Sequence, residues 1–328
     1  MMNRDEIIAG IVAILKEGKS FLLTTHVDPD ADGIGSMLAL GWALEKRGKE
    51  ITLLIEEPLA SPLNQLPGAD RIVQSFDMAL EFDAIAALDC GDPKRLGAHR
   101  SLLERGERVI CIDHHKTNSF FGDINLVDPR SSSTGELIFH IIKQAGFPLE
   151  EQTAMNLFAA IQTDTGSFRY ENASADSFRI AAELVDLGAA PWEISRIVLE
   201  GYSSSRLKLL QRALDTLEFY QDGKIGMMTI SSRMFKETGA RPIDSERFVD
   251  YPRFVSGVEL SVMIRQINAN EHKFSLRSNK LVDVAELASC FGGGGHARAA
   301  GFQGRGTLKI LKKNFLEKAV RFFDGTSN

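Results

Sequence analysis

The chain has 328 residues, 44% hydrophobic and 25% charged, with a net charge of −6. That length reads as two domains of an ordinary globular protein, and the acidic balance excludes a protein that coats nucleic acid by bulk electrostatics. No apolar run approaches the ~18 residues of a membrane span, and three cysteines (Cys90, Cys111, Cys290) without a CxxC exclude a disulfide framework.

The N-terminal "MMNRDEIIAGIVAILKEGKS" predicts an amphipathic helix, without the apolar core and small-residue cleavage site of a signal peptide. A cytoplasmic protein is expected. The runs 21–26 ("FLLTTH"), 51–56 ("ITLLIE"), 83–89 ("DAIAALD") and 108–113 ("RVICID") predict strands, and 33–48 a helix closing on Gly48. Three prolines, Pro58, Pro62 and Pro67, break the stretch from 57 to 82. Continuous apolar strands alternating with helical connectors predict an α/β domain, a mostly parallel sheet with helices on both faces. Helical patterns fill 134–217, opening on Ser133 and Glu136 in capping-box spacing.

The texture changes after about 215. A hairpin is expected around Asp222-Gly223, then strands over 258–268 and 272–278, and a final amphipathic helix ending near 325. We therefore expect a first domain over 1–190, a linker helix region over 191–215 where Pro191 and Ser203 to Ser205 interrupt the pattern, and a smaller α/β domain over 216–328. A cleft is expected between the two domains.

The strand ends carry the chemistry. The first strand runs into "HVDPDADGIGS", with His26, Asp28, Asp30 and Asp32; the third into "LDCGD", with Asp89 and Asp92; the fourth into Asp113, His114 and His115. A helical segment closes on "IQTDTGSF" with Asp164. Each alone reads equally as a solvated turn or cap. In an open α/β sheet, however, groups at the carboxyl ends of strands converge on one crevice. Carboxylates so gathered repel unless cations intervene. Asp and His donors without thiolate suit Mn²⁺, with Mg²⁺, Co²⁺ or Fe²⁺ as alternatives, and a bridging carboxylate suits a two-metal hydrolytic centre.

These motifs, with "GGGGHARAAG" near the C-terminus, resemble the DHH phosphoesterase superfamily with its DHHA1 domain, across nearly the whole chain. The length is similar to the NrnA-type oligoribonuclease and pAp phosphatase subfamily. The resemblance implies that His26 and Asp30 bind one ion, and Asp32, His114 and Asp164 a second, with Asp89 bridging. It implies that Asp113 orients a histidine and that His115 faces the substrate phosphate; Asp28 and Asp92 fall outside the ligand set. In the second domain, Gly293, Gly294 and His296, with Arg277 and Ser278, are the implied substrate-binding residues. His296 and Arg298 are expected to open a helix whose N-terminus favours an anion.

The function so implied is hydrolysis of short oligoribonucleotides or 3′-phosphoadenosine-5′-phosphate (pAp) at two divalent ions, with no membrane partner; a homodimer is compatible with the chain. Three alternatives stand beside it. A cyclic-di-AMP or linear dinucleotide phosphodiesterase would share every motif. An exopolyphosphatase or pyrophosphatase would have little use for a base-binding domain. A silent nucleotide- or RNA-binding module would have no need of every metal ligand.

Overall fold

The structure, a computed structural model, describes residues 3–77, 79–200 and 202–324, apart from the side chains of His296 and Asp324. The chain divides into two compact units at 201/202.

In chain order the first unit contains α1 (Arg4–Glu17), β1 (Ser20–Thr24), α2 (Ala31–Glu45), β2 (Glu50–Leu54), β3 (Ala84–Leu88), β4 (Val109–Asp113), β5 (Ile124–Val127), α3 (Thr134–Ala145), α4 (Glu151–Asp164), α5 (Ala175–Asp186) and α6 (Pro191–Val198). The five strands form one parallel sheet in the order β2-β1-β3-β4-β5. Side chains alternate across it. Phe21, Leu23, Ala86, Leu88, Ile110 and Ile112 pack into the core shared with helices α1 to α4. Leu22, Leu54, Ile85 and Ala87 face the other way. There the irregular 3₁₀ segment Pro93–Glu104 covers them with Leu96 and Leu102. Helical segments thus cover both faces, as the apolar strands require.

The four expected strands are present within one or two residues. The fifth, β5, has only four residues with Leu126 alone fully buried, too short to print a pattern. The capping box at α3 is half-formed. Ser133 Oγ accepts from the Glu136 N–H at 3.1 Å, but the Glu136 carboxylate turns back to Ser131 and Ser132 instead of to the N-cap N–H.

The second unit contains α7 (Ser204–Leu214), β6 (Glu218–Tyr220), β7 (Ile225–Ile230), α8 (Ser232–Thr238), β8 (Leu260–Asn268), β9 (Glu271–Ser278), α9 (Val284–Ser289), β10 (Gly294–His296), β11 (Ala299–Arg305), α10 (Leu308–Ala319) and α11 (Arg321–Asp324). Its six strands run β10-β11-β9-β8-β7-β6, antiparallel except for the β7/β8 pair. The expected helix at His296 is not formed. "GGHARAAG" is instead a tight antiparallel hairpin, with Gly294 opposite Gly301 and His296 opposite Ala299. No helix N-terminus therefore stands there to favour an anion. Among the described residues no helix is long and apolar enough to cross a membrane.

Helix α2 carries the first cluster of acidic residues, and it lies close against α4. A Cβ on Gly35 would sit 2.5 Å from the backbone oxygen of Asn156 and 3.3 Å from Ala160 Cβ. Alanine in a helix interior gains about 1 kcal/mol over glycine, while overpacking costs about 1–3 kcal/mol. A backbone carbonyl in a buried helix has little room to yield, so the clash wins. Gly35→Ala should lower the urea midpoint, as followed by circular dichroism; an unchanged or raised midpoint would show that the helices part freely.

Candidate metal centre

In the order β2-β1-β3-β4-β5, neighbouring connections leave the sheet in opposite senses between β1 and β3, which opens a crevice beyond their carboxyl ends. The register levels those ends, pairing Thr24 with Ala87 and Leu88 with Ile112. His26 follows β1, Asp89 follows β3 directly, and Asp113 closes β4 with His114 and His115 behind it. Asp30 caps α2 by accepting the Asp32 and Gly33 N–H groups at 3.0 and 3.2 Å. Asp164 is the last residue of α4.

Two backbone devices aim the buried carboxylates. Asp89 has φ +53, a left-handed conformation rarely adopted by non-glycine residues. Its N–H donates to Ile112 O at 2.9 Å, and Thr134 Oγ1 donates to its Oδ1 at 3.0 Å. Asp32 receives the Thr134 and Gly135 N–H groups at 2.8 and 2.9 Å. These are among the first, otherwise unpaired, donors of α3, where a negative charge is favoured.

The side chains gather in three groups, each with ligand atoms within 4.8 Å of one another: His26, Asp30 and Asp89; Asp32, His114 and Asp164; and Asp89, His114 and His115. Asp89 therefore touches both ends of the site. Its Oδ2 is 3.6 Å from His26 Nε2, and its Oδ1 is 3.8 Å from His114 Nε2 and 3.6 Å from His115 Nδ1. His114 Nε2 also lies 3.7 Å from Asp32 and 3.6 Å from Asp164.

This donor set fits divalent cations. His26 Nδ1 donates to Val27 O at 2.7 Å, and His114 Nδ1 lies 3.3 Å from Ser131 O. A proton on each Nδ1 leaves the Nε2 lone pair directed at carboxylate oxygens. Burial lowers the His26 pKa, which favours that neutral form. Burial pushes Asp32 up to about 7, aided by Asp164 and Asp30 and opposed by His114. Burial, with Asp32, Asp30 and Asp164, drives Asp89 well above the usual carboxylate range. Burial alone would lower His114, but Asp32, Asp164 and Asp113 raise it. Among the described residues no Lys or Arg pairs with Asp32 or Asp89; their ion-pair partners are histidines. Lone pairs facing carboxylates around 3.6 Å leave room for a cation between them.

Asp113 orients His115, whose Nδ1 lies 2.6 Å from Asp113 Oδ1. Asn118 Nδ2 donates to the other oxygen at 2.6 Å. Burial would raise the Asp113 pKa, but these hydrogen bonds hold it below the usual value. Asp92 caps the following 3₁₀ segment through Lys94 N–H at 2.8 Å, and Asp28 lies in none of the three groups. Three supporting residues escape a reading of the sequence: Thr134 on Asp89, Asn118 on Asp113, and Asn172, which donates to Asp164 Oδ2 at 3.2 Å and Ser132 O at 2.8 Å. The first of these, Thr134, lies in "SSSTGE", where Ser133 and Glu136 read as a helix cap.

The expected substrate-binding residues of the second unit share one part of its sheet. Arg277 on β9 pairs in register with Ala299 of β11, and Ser278 Oγ donates to Ala297 O at 3.3 Å. The glycine run divides by role. A Cβ on Gly293 would lie 2.3 Å from Gly301 O, and Gly295 has φ +146 with its Cβ position 2.5 Å from Ala299 O. Those two glycines are required by the hairpin itself. Gly294 is exposed with nothing within 4 Å of an added Cβ, so packing does not explain it. The side chain of His296 lies outside the described residues.

Residues 20–161 match the profile of the DHH family, N-terminal domain, and residues 226–325 that of the DHHA1 domain. The chain is 33% identical to the bifunctional oligoribonuclease and PAP phosphatase NrnA of Thermus thermophilus, over 92% of its own length and 88% of that protein's. It is 25% identical to the protein of the same name from Bacillus subtilis, over 86% and 88% of the two chains. The crystal structure of an exopolyphosphatase-related protein from Bacteroides fragilis superposes with a TM-score of 0.91, at 28% identity, covering 97% of this chain and 96% of that one.

Raised carboxylate pKa values fix the sign of a pH effect. In the cation-free protein, Asp32 and Asp89 contribute stability below their unfolded value of about 4, and it is lost as pH rises, through about 7 for Asp32. In chelator, Tm should therefore fall between pH 5 and 8, and saturating Mn²⁺ should raise Tm most at the upper end. A Tm indifferent to divalent cations at every pH would contradict the site.

Proposed function

The chain belongs to the DHH family, and from that membership we propose a phosphoesterase that hydrolyses short oligoribonucleotides and pAp. One observation carries the reading: the Asp89 carboxylate reaches both the His26/Asp30 pair and His114, the neighbour of Asp32 and Asp164. A carboxylate so shared is suited to bridge two cations. His26 and Asp30 would hold one, Asp32, His114 and Asp164 the other. Divalent ions bound there would neutralise a phosphate and lower the pKa of water. The oxygen and imidazole donors favour Mn²⁺ over ions preferring thiolate.

The protein's own groups complete the chemistry. With its Nδ1 engaged by Asp113, His115 would use Nε2 to donate to a phosphoryl oxygen or the leaving oxygen. Thr134 and the N-terminus of α3 hold Asp89 and Asp32 in place, so the site needs little reorganisation when substrate arrives. The open face at Gly294, with Arg277, would take the nucleotide portion, whereas Ser278, expected there too, is buried with its hydroxyl on Ala297 O and braces the hairpin instead. The proteins named oligoribonuclease and PAP phosphatase support these substrates. Free thiols, two of them buried, suit a reducing compartment. A polyphosphate reading is favoured by the name of the Bacteroides fragilis protein, but leaves the second unit's arginines and hairpin without a task.

A Mn²⁺-supplemented panel of pAp, labelled di- to decaribonucleotides, cyclic dinucleotides and polyphosphate tests the assignment. We expect turnover of pAp and the shortest ribonucleotides, abolished by chelator and restored best by Mn²⁺. Preference for polyphosphate or cyclic dinucleotides, or full turnover with metal content near zero, would overturn it.

Two variants separate the roles of the adjacent ligands. Asp89→Ala should lose nearly all turnover and at least one ion. His115→Ala should keep its ions by elemental analysis yet lose on the order of 10²–10⁴-fold in kcat. Metal loss in His115→Ala as severe as in Asp89→Ala would reassign His115 to the ligand set.

A further inference from the structure

The Glu136 carboxylate is only 4% exposed and closes on the loop before its own helix. It accepts from Ser131 Oγ at 3.1 Å, from Ser132 Oγ at 2.7 Å and from the Ser132 N–H at 3.1 Å. Burying a carboxylate is costly. The helix start does not require one there, because Ser133 Oγ already caps α3. The two serines that Glu136 grips are themselves no more than 3% exposed, so the loop is fixed from both sides.

That loop frames one cation site. Ser131 O faces His114 Nδ1 at 3.3 Å, and the Thr134 and Gly135 N–H groups hold Asp32. Ser132 O accepts from Asn172 Nδ2 at 2.8 Å, and the same nitrogen lies 3.2 Å from Asp164 Oδ2 and 3.1 Å from Asp164 O. Asp32, His114 and Asp164 are thus all tied to residues 131–135, Asp164 through Asn172. Asn172 returns to Asp164 because the chain between them reverses through three successive left-handed residues, Gly166, Ser167 and Phe168, with φ +57, +60 and +60. Two of the three are not glycine, and backbone strain of that kind recurs at functional sites. His26 and Asp30 of the other group are held by their own segment instead. His26 Nδ1 donates to Val27 O, and Asp30 accepts from the N–H groups of Asp32 and Gly33.

We infer that Glu136 and Asn172 are positioning residues for one of the two cations. Through residues 131–135 they set the spacing of Asp32, His114 and Asp164, so the two cations are held with separable affinities. This rests on the two-cation reading proposed above. It adds two residues that act through the ligands rather than as ligands.

The test equilibrates the full-length, Mn²⁺-loaded protein at a series of free Mn²⁺ concentrations and counts bound ions by elemental analysis. Loss of an outer hydrogen-bond partner of a metal ligand weakens affinity by about tenfold to a hundredfold. Asn172→Ala and Glu136→Ala should each weaken one Mn²⁺-binding step by that factor, the same step in both, and leave the other nearly unchanged. Glu136→Gln, which keeps one acceptor oxygen, should weaken that step by less than Glu136→Ala. Where Glu136→Ala does not fold, Glu136→Gln and Asn172→Ala, at a partly exposed side chain, carry the test. Unchanged affinity for both ions in Asn172→Ala and in every folded Glu136 variant would overturn the inference. So would equal weakening of both steps, which marks general damage to the fold, or weakening of a different step by each variant. A wild type that binds fewer than two ions would overturn the proposed centre and this inference with it. A wild type with two ions, matched by variants that bind as it does, would overturn the inference alone.

Discussion

Two carboxylates, Asp32 and Asp89, are buried with histidines as their ion-pair partners, and much of the first unit is arranged around that unfavourable placement. Isolated charges in such a place cost several kcal/mol each unless compensated. The compensation present in the chain is partial. Two N–H groups at the start of α3 grip Asp32, and Thr134 grips Asp89. The remainder calls for divalent cations. A left-handed backbone at Asp89, a close helix contact at Gly35 and a level set of strand ends all serve to converge the acidic groups.

Much of the first unit was legible because its signals are local. Strands β1 to β4 are unbroken apolar runs, and the residues that leave them are Asp and His, whose chemistry is evident wherever the chain places them. The groups that support the ligands were not legible. Asn118 lies five residues from Asp113, Thr134 forty-five from Asp89, and Asn172 eight from Asp164. An Asn or Thr has many uses, and only folding selects one. The capping box failed for a related reason. Glu136 found closer donors in Ser131 and Ser132, so a local rule lost to a better local partner.

The second unit was read less well, and the glycine run shows why. Four glycines followed by His and Arg suggest a phosphate loop entering a helix. Pairing with β11 makes them a hairpin edge, in which Gly293 and Gly295 are steric requirements and Gly294 is not. The arginines that meet at Asp250 had no local signal at all. Arg247, Asp250 and Arg253 are ordinary turn residues in sequence, and Arg277 joins them only because β9 lies beside that turn. Residues gathered by tertiary placement leave little trace in the sequence, whereas candidate metal ligands are legible from residue type.

The central claim is that one carboxylate joins two cations in a single centre. Electron paramagnetic resonance of the Mn²⁺-loaded protein, with elemental analysis of the same sample, measures this directly. The account predicts two ions per chain with the spectrum of an exchange-coupled pair, and conversion to an uncoupled spectrum in Asp89→Ala. One ion per chain, or two ions that show no coupling in the wild type, would contradict it.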